Sequence, residues 1–120
     1  MAETKPNKND LSIPTISTDA NGWTCYDYGT HKQYRKKGTV TESLTASQWK
    51  WSANSISLPV GMANTGACFS EAACVPSDTA ITVQPNLYGG TSINFAITNQ
   101  FGGAVNNFTI YYSFCLTTSS

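Results

Sequence analysis

Residues 107–116 alternate strictly between large apolar and mostly polar side chains. Side chains on a strand point alternately to two faces, so this pattern predicts a strand with one buried face. Burying each large apolar side chain contributes about 1.5–3 kcal/mol. A second sheet or a partner subunit must therefore cover the face formed by Phe108, Ile110, Tyr112, Phe114 and Leu116.

Weaker versions of the same alternation predict further strands. A hairpin is predicted over residues 23–44, with a turn at Tyr28-Gly29-Thr30 and a long polar second arm typical of a strand at the rim of a sheet. The pattern is indistinct between residues 45 and 59. More distinct strands follow at residues 66–75, 80–87 and 92–99.

Strands recurring about every ten residues, separated by turns rich in Gly, Asn and Pro, predict an all-β fold. We expect an antiparallel β-sandwich in which residues 80–116 form a three-strand meander. Pro85 cannot donate to a hydrogen-bond ladder, which predicts that its strand ends at a sheet edge or a bulge.

The first 20 residues differ from the rest of the chain. They are polar, contain two prolines and carry only isolated apolar side chains with no periodicity. We expect residues 1–20 to form an extended N-terminal arm and residues 21–120 to form the β domain. The arm is either flexible or becomes ordered when it docks on a neighbouring protein through Leu11, Ile13 and Ile16.

Composition narrows the classes of partner. The 120 residues are 40% hydrophobic and 12% charged with a formal net charge of zero, which indicates one domain with a modest core. Nucleic acid is not expected as a partner, because no basic excess is available to neutralise phosphates. We interpret the basic cluster Lys32, Arg35, Lys36 and Lys37 as a solvated sheet edge. Neither membrane insertion nor a secretory signal is expected.

The spacing of the cysteines and of the single histidine predicts neither a metal site nor a catalytic site. Zinc sites usually show closely spaced cysteine pairs, which Cys25, Cys68, Cys74 and Cys115 do not form, so no metal or cofactor is expected. Reduced thiols are favoured, although one or more disulfides remain an alternative. The lone His31 has no serine-and-acid context, and we expect the protein not to be an enzyme.

Four short segments carry a resemblance to a known family. They read G-W-T-C-Y-D-Y-G-T-H-K-Q-Y (22–34), L-P-V-G-M (58–62), I-T-V-Q-P-N (81–86) and F-T-I-Y-Y-S-F (108–114). Together they resemble the C-terminal domain of bacteriophage tail-fibre and receptor-binding proteins. The turn at residues 27–30 has one inserted residue, and the Trp-Gly pair usual after the second strand is missing.

The resemblance implies a small, usually trimeric, lectin-like β-sandwich at the tip of a viral fibre. It implies a virion protein made in the host cytoplasm, held by its arm to another tail or baseplate protein and binding a host-surface glycan. Three copies would strengthen weak single-site binding by avidity. One alternative is a structural virion protein, such as a head decoration or baseplate component, without receptor binding. A free carbohydrate-binding lectin is the other.

Sugars present flat C–H faces and hydroxyls, which suit aromatic rings flanked by amides or carboxylates. Trp49 and Trp51 also fit a core, and Tyr88 also fits a turn-packing role, whereas Phe101 lies in a Gly-rich loop and is the best exposed candidate. The candidate receptor-binding residues are Phe101 with Asn99 and Asn106, Tyr88 with Asn86, and Trp49 with Trp51, beside Asn54.

Overall fold

The structure of the protein is a computed structural model that describes residues 13–62, 68–87 and 90–119. These residues form eight strands, all paired antiparallel, which confirms the predicted all-β antiparallel fold. One sheet has five strands in the order β1-β2-β3-β8-β5, and the other has three in the order β4-β7-β6. The strands are β1 (Thr15–Thr18), β2 (Thr24–Asp27), β3 (His31–Leu44), β4 (Trp49–Ser57), β5 (Cys68–Pro76), β6 (Ile81–Leu87), β7 (Ser92–Asn99) and β8 (Val105–Ser119).

Burial confirms the alternation predicted for β8. Its five large apolar side chains, from Phe108 to Leu116, are each at most 7% exposed. In β7, Ile93, Phe95 and Ile97 are fully buried. The Phe95 ring lies 6.1 Å, centroid to centroid, from the rings of both Tyr112 and Phe114 of β8. The inner faces of the two sheets therefore share one apolar core.

The predicted three-strand meander over residues 80–116 is wrong at its third strand. β6 and β7 pair with each other, and Pro85 lies in β6, an edge strand as expected. β8, however, pairs with β3 and β5 in the five-stranded sheet. The apolar face of β8 needs the apolar face of β7 opposite it, which a neighbour in the same sheet cannot provide.

The prediction that β3 is a rim strand is also wrong, because β3 lies between β2 and β8. Strand alternation separates the basic cluster, placing Arg35 and Lys37 on one face of β3 and Lys32 and Lys36 on the other. The Lys36 ammonium donates a 2.6 Å hydrogen bond to the Asn21 carbonyl oxygen. The polarity of β3 thus reflects specific contacts inside a sheet and does not mark an edge.

Part of the predicted arm belongs to the five-stranded sheet. Thr15–Thr18 pairs with β2 as the edge strand β1, so the ordered sheet begins before residue 21. Ile13 and Ile16 are both exposed, at 67% and 60%. Leu11 lies outside the described residues, and docking through these three residues stays a prediction.

Asp19 organises the turn between β1 and β2. Its carboxylate accepts hydrogen bonds from the backbone amides of Asn21 at 2.9 Å, Trp23 at 3.0 Å and Val60 at 3.0 Å. Burial opposes its ionisation, but these amides and the Lys36 ammonium outweigh burial and hold the pKa of Asp19 below its ordinary value. The turn is thereby tied to the segment that follows β4.

The close approach of Gly38 to Tyr112 allows the packing of the core to be tested by substitution. Its Cα pairs with Tyr112, and an added Cβ would lie 2.6 Å from Tyr112 Oη and 2.9 Å from its Cζ. Tyr112 has little room to move, because its ring packs against Phe95 and Phe114. We expect Gly38→Ala to lower the free energy of unfolding by about 1–3 kcal/mol in urea denaturation. Gly102→Ala, whose Cβ would meet nothing within 4 Å, should change it by less than about 0.5 kcal/mol. Equal stabilities for the two variants would contradict this packing.

Candidate functional site

The outer face of the three-stranded sheet carries two tryptophans. Because Ile93, Phe95 and Ile97 of β7 point into the core, the alternate residues of the sheet point outward. The strand register places the outward residues in rows across the sheet. Three of these rows we call the tryptophan face: Trp49, Thr98 and Thr82; Trp51, Ala96 and Gln84; Ser55, Asn94 and Asn86.

The two indoles of this face are accessible. Trp49 is 57% exposed and Trp51 is 43% exposed, so neither belongs to the core, which was the alternative interpretation. Their ring centroids are 5.7 Å apart and their planes are inclined by 73°. Trp23 is the buried tryptophan, with 0% exposure, and its Nε1–H donates to the Ser57 carbonyl oxygen at 2.7 Å.

The tryptophan face is uncharged. Within strands β4, β6 and β7, all of them described, the only charged residue is Lys50. Lys50 pairs with Ile97 on the inner side of the sheet, and its ammonium lies 3.8 Å from the Glu42 carboxylate. The polar groups of the face are hydroxyls and amides, which both donate and accept hydrogen bonds.

Glu42 fixes the backbone next to Trp51. Its side chain is 5% exposed, and its carboxylate accepts hydrogen bonds from the Ser52 hydroxyl and from the backbone and side-chain amides of Asn54. The pairing of β4 with β7 shifts register between Trp51 and Ser55, so these bonds hold an irregular stretch of β4 against β3. Asn54 is thus engaged in the fold beside the tryptophans.

Phe101 and Asn99 have different roles. Phe101 is 56% exposed in the loop between β7 and β8, as expected. Asn99 is only 1% exposed; its amide donates to the carbonyl oxygens of Thr45 and Gly103, both at 2.9 Å. Its Oδ1 accepts from the Phe101 backbone N–H at 2.9 Å. Asn99 therefore shapes the loop that presents Phe101 and does not offer its own side chain to solvent.

The Phe101 loop adjoins the start of β4. The Ser47 backbone N–H donates to the Phe101 carbonyl oxygen at 3.0 Å, and Trp49 begins β4 two residues later. Asn106 is exposed near the start of β8, where pairing with β3 shifts register. Of the other predicted residues, Asn86 lies on the tryptophan face, whereas Tyr88 is outside the described residues.

Several polar residues of the tryptophan face were missed as candidates: Thr82, Gln84, Asn94 and Thr98. A signal was present, because each occupies the polar phase of a predicted strand. Using that signal requires knowing that β7 pairs with β4 on one side and with β6 on the other, and this pairing cannot be read from local periodicity.

A separate groove of about 430 Å³ lies against the five-stranded sheet. Its lining residues come from β2, β3 and β8 and from the turn before β2: Gly22, Thr24, Tyr26, Arg35, Lys36, Lys37, Ser113 and Phe114. The Arg35 guanidinium lies 3.9 Å from the carboxylate of Glu71, and both side chains are more than half exposed. This groove has one lining tyrosine and a basic character, in contrast to the tryptophan face.

The structure describes the side chains of three cysteines. Cys25, Cys74 and Cys115 are free thiols, and burial raises the pKa of Cys74 to about 11, which keeps it protonated at neutral pH. Among residues 13–62, 68–87 and 90–119, no three His, Cys, Asp or Glu side chains are grouped so that they could hold a metal ion. The same part of the chain contains no helix long and apolar enough to cross a membrane.

Comparison of the chain with models of protein families, with curated proteins and with solved structures found no match. The resemblance to phage tail-fibre tips therefore rests on its four short segments, and the function that it implies is a proposal.

Proposed function

We propose that this chain is the receptor-binding module of a bacteriophage tail fibre, a non-enzymatic, homotrimeric β-sandwich that attaches the virion to a glycan on the host surface. The tryptophan face is the observation that carries this proposal. Its indoles offer apolar surfaces to the C–H faces of sugars, and its hydroxyls and amides offer hydrogen bonds to sugar hydroxyls.

The exposure of Trp49 and Trp51 supports a binding role. Indole is the largest side chain, and leaving two of them in water forgoes about 25 cal/mol for each Å² of apolar area. Neighbouring exposed apolar groups rimmed by polar ones typically mark an interaction site. Phe101, in the loop hydrogen bonded to the turn before Trp49, adds a third exposed aromatic at one end of this surface.

A different surface suits trimer assembly. Val75 and Tyr111 are register partners on the outer face of the five-stranded sheet, and they are 60% and 53% exposed. Contacts between sister chains through this pair would leave the tryptophan face accessible on the other sheet. Docking to a tail or baseplate protein would use the N-terminal segment with the exposed Ile13 and Ile16.

The exposed residues Val75 and Tyr111 also favour a second candidate function. If Val75 and Tyr111 serve assembly and the tryptophans do likewise, the chain is a structural virion protein, such as a head decoration or baseplate component. Its exposed apolar residues would then contact other virion proteins and no glycan.

Variants of the tryptophan face separate these functions. We expect Trp49→Ala and Trp51→Ala each to weaken adsorption of the purified protein to a panel of bacterial cells and glycans by about tenfold or more. Tyr111→Ala, which removes an exposed aromatic from the other sheet, should change monovalent glycan binding by less than about twofold. Unfolding curves check that each variant is folded. Wild-type binding by both tryptophan variants would contradict the proposal, and a wild-type protein that adsorbs to nothing would favour the structural function.

A further inference from the structure

We infer that the glycan bound by the tryptophan face is neutral and is bound as an individual chain. This inference rests on the proposed function and specifies the class of ligand. It excludes glycans recognised through carboxylate, sulfate or phosphate groups. It also excludes the flat surface of a packed, crystalline polysaccharide.

The charge distribution supports a neutral ligand. Acidic sugars are usually held by charge-assisted hydrogen bonds from Arg or Lys. Lys50 is the only charged residue in strands β4, β6 and β7, and it lies on the inner side of the sheet beside Glu42. Arg35 and Lys37 belong to the outer face of the other sheet. An acidic group brought against the indoles would lose water and would gain no cationic partner from strands β4, β6 and β7, which is unfavourable.

The uncharged polar groups match sugar hydroxyls. A hydroxyl needs both a donor and an acceptor, and each side-chain amide supplies both. Gln84 and Asn86 place two such amides on the same outer face. The NH₂ group of each donates one 3.4 Å hydrogen bond, Gln84 to the Pro85 carbonyl oxygen and Asn86 to the Gln84 carbonyl oxygen, and each amide has a second N–H and a carbonyl oxygen besides. Thr82 and Thr98 add hydroxyls in the row of Trp49. This set can satisfy several hydroxyls of one sugar chain without any charge.

The ring geometry supports an individual chain. Two planes inclined by 73° cannot both lie flat against one planar surface. A single oligosaccharide can turn between residues, so that successive sugar rings stack on Trp49 and Trp51 in different planes. The three strands span about 10 Å and the three rows about 14 Å along the strands, which gives the footprint of a short oligosaccharide.

Calorimetric titration with paired ligands tests this inference. The probes are neutral oligosaccharides of hexoses and N-acetylhexosamines, and the same backbones carrying a uronic acid, a sialic acid or a phosphate. We expect the neutral member of a pair to bind about tenfold or more tightly. Its affinity should change by less than about twofold between about 50 and about 500 mM NaCl, because screening has no charge pair to weaken.

A charged substitution sharpens the test. Gln84→Lys adds a cation to the tryptophan face and should shift the preference towards the acidic member of each pair by about fivefold or more. Thr39→Lys, on the outer face of the five-stranded sheet, is the matched control and should leave the preference unchanged.

The possible failures are distinguishable. An acidic glycan that binds the wild-type protein more tightly, and that Trp49→Ala or Trp51→Ala releases, overturns the inference and leaves the proposed function in place. Binding to an insoluble crystalline polysaccharide that soluble neutral oligosaccharides do not displace also overturns the inference. Binding that neither tryptophan variant affects, or no glycan binding at all, overturns the proposed function itself.

Discussion

Replacing Phe95 with alanine should lower the free energy of unfolding by about 3–5 kcal/mol, measured by urea denaturation. Phe95 has no exposed surface, and its ring packs across the core against Tyr112 and Phe114 of the other sheet. Removing it leaves a cavity between the sheets that β-strands fixed by hydrogen bonds can close only in part.

The chain provides a matched control in Phe101, which is 56% exposed in the loop between β7 and β8. Phe101→Ala should lower the free energy of unfolding by less than about 1 kcal/mol, because little apolar area leaves a buried position. If the two variants lost the same stability, the two sheets would not share a core at Phe95.

Replacing Glu42 with alanine should cost about 2–4 kcal/mol of unfolding free energy. The Glu42 carboxylate accepts hydrogen bonds from Ser52 and from both amides of Asn54, and it faces the Lys50 ammonium. The variant leaves these partly buried donors without their acceptor. Under the proposed function the variant should also bind glycan more weakly than the wild type, because the same bonds fix the irregular stretch of β4 after Trp51.

Glu71→Ala is the control for this prediction. Glu71 also faces a cation, Arg35, but the side chains are 61% and 52% exposed and the charged atoms are 3.9 Å apart. Exposed ion pairs contribute between about 0 and 1 kcal/mol, so Glu71→Ala should be nearly neutral. A Glu42→Ala variant as stable as Glu71→Ala would show that the Glu42 contacts are not formed in solution.

Local alternation was sufficient to predict the buried faces of β7 and β8. Ile93, Phe95 and Ile97 in β7, like the apolar residues of β8, occupy one phase of a period of two, and a strand buries one phase. The hairpin of β2 and β3 was also predictable, because Gly29 supplies the positive φ of 87° that its turn uses.

The partners of the strands were not predictable in the same way. The polar sequence of β3 suggested an edge. Lys36, however, donates a hydrogen bond to Asn21, and Glu42 accepts hydrogen bonds from groups of β4. Residues 92–116 indicated two consecutive strands, but periodicity does not tell whether such strands pair in one sheet or face each other from two. Tertiary contacts therefore decided both points.

The candidate site was predictable in residue type more than in position. Trp49 and Trp51 were candidates because of their chemistry, but only the register of β4 with β7 shows that they point away from the core. Asn99 was a candidate receptor-binding residue because of its amide. The structure shows it buried, with that amide bonded to the carbonyl oxygens of Thr45 and Gly103 at the loop before β8. An amide has identical chemistry in both settings, so burial separates the two roles.

The indole N–H signals of the three tryptophans, followed by NMR during titration with a neutral oligosaccharide, test glycan binding by the tryptophan face most directly. The signals of Trp49 and Trp51 should shift in a saturable manner. Trp23 is an internal control, because it is buried and its Nε1–H is bonded to Ser57, and its signal should stay in place. Saturation of the protein with no shift at Trp49 or Trp51 would contradict glycan binding at this face.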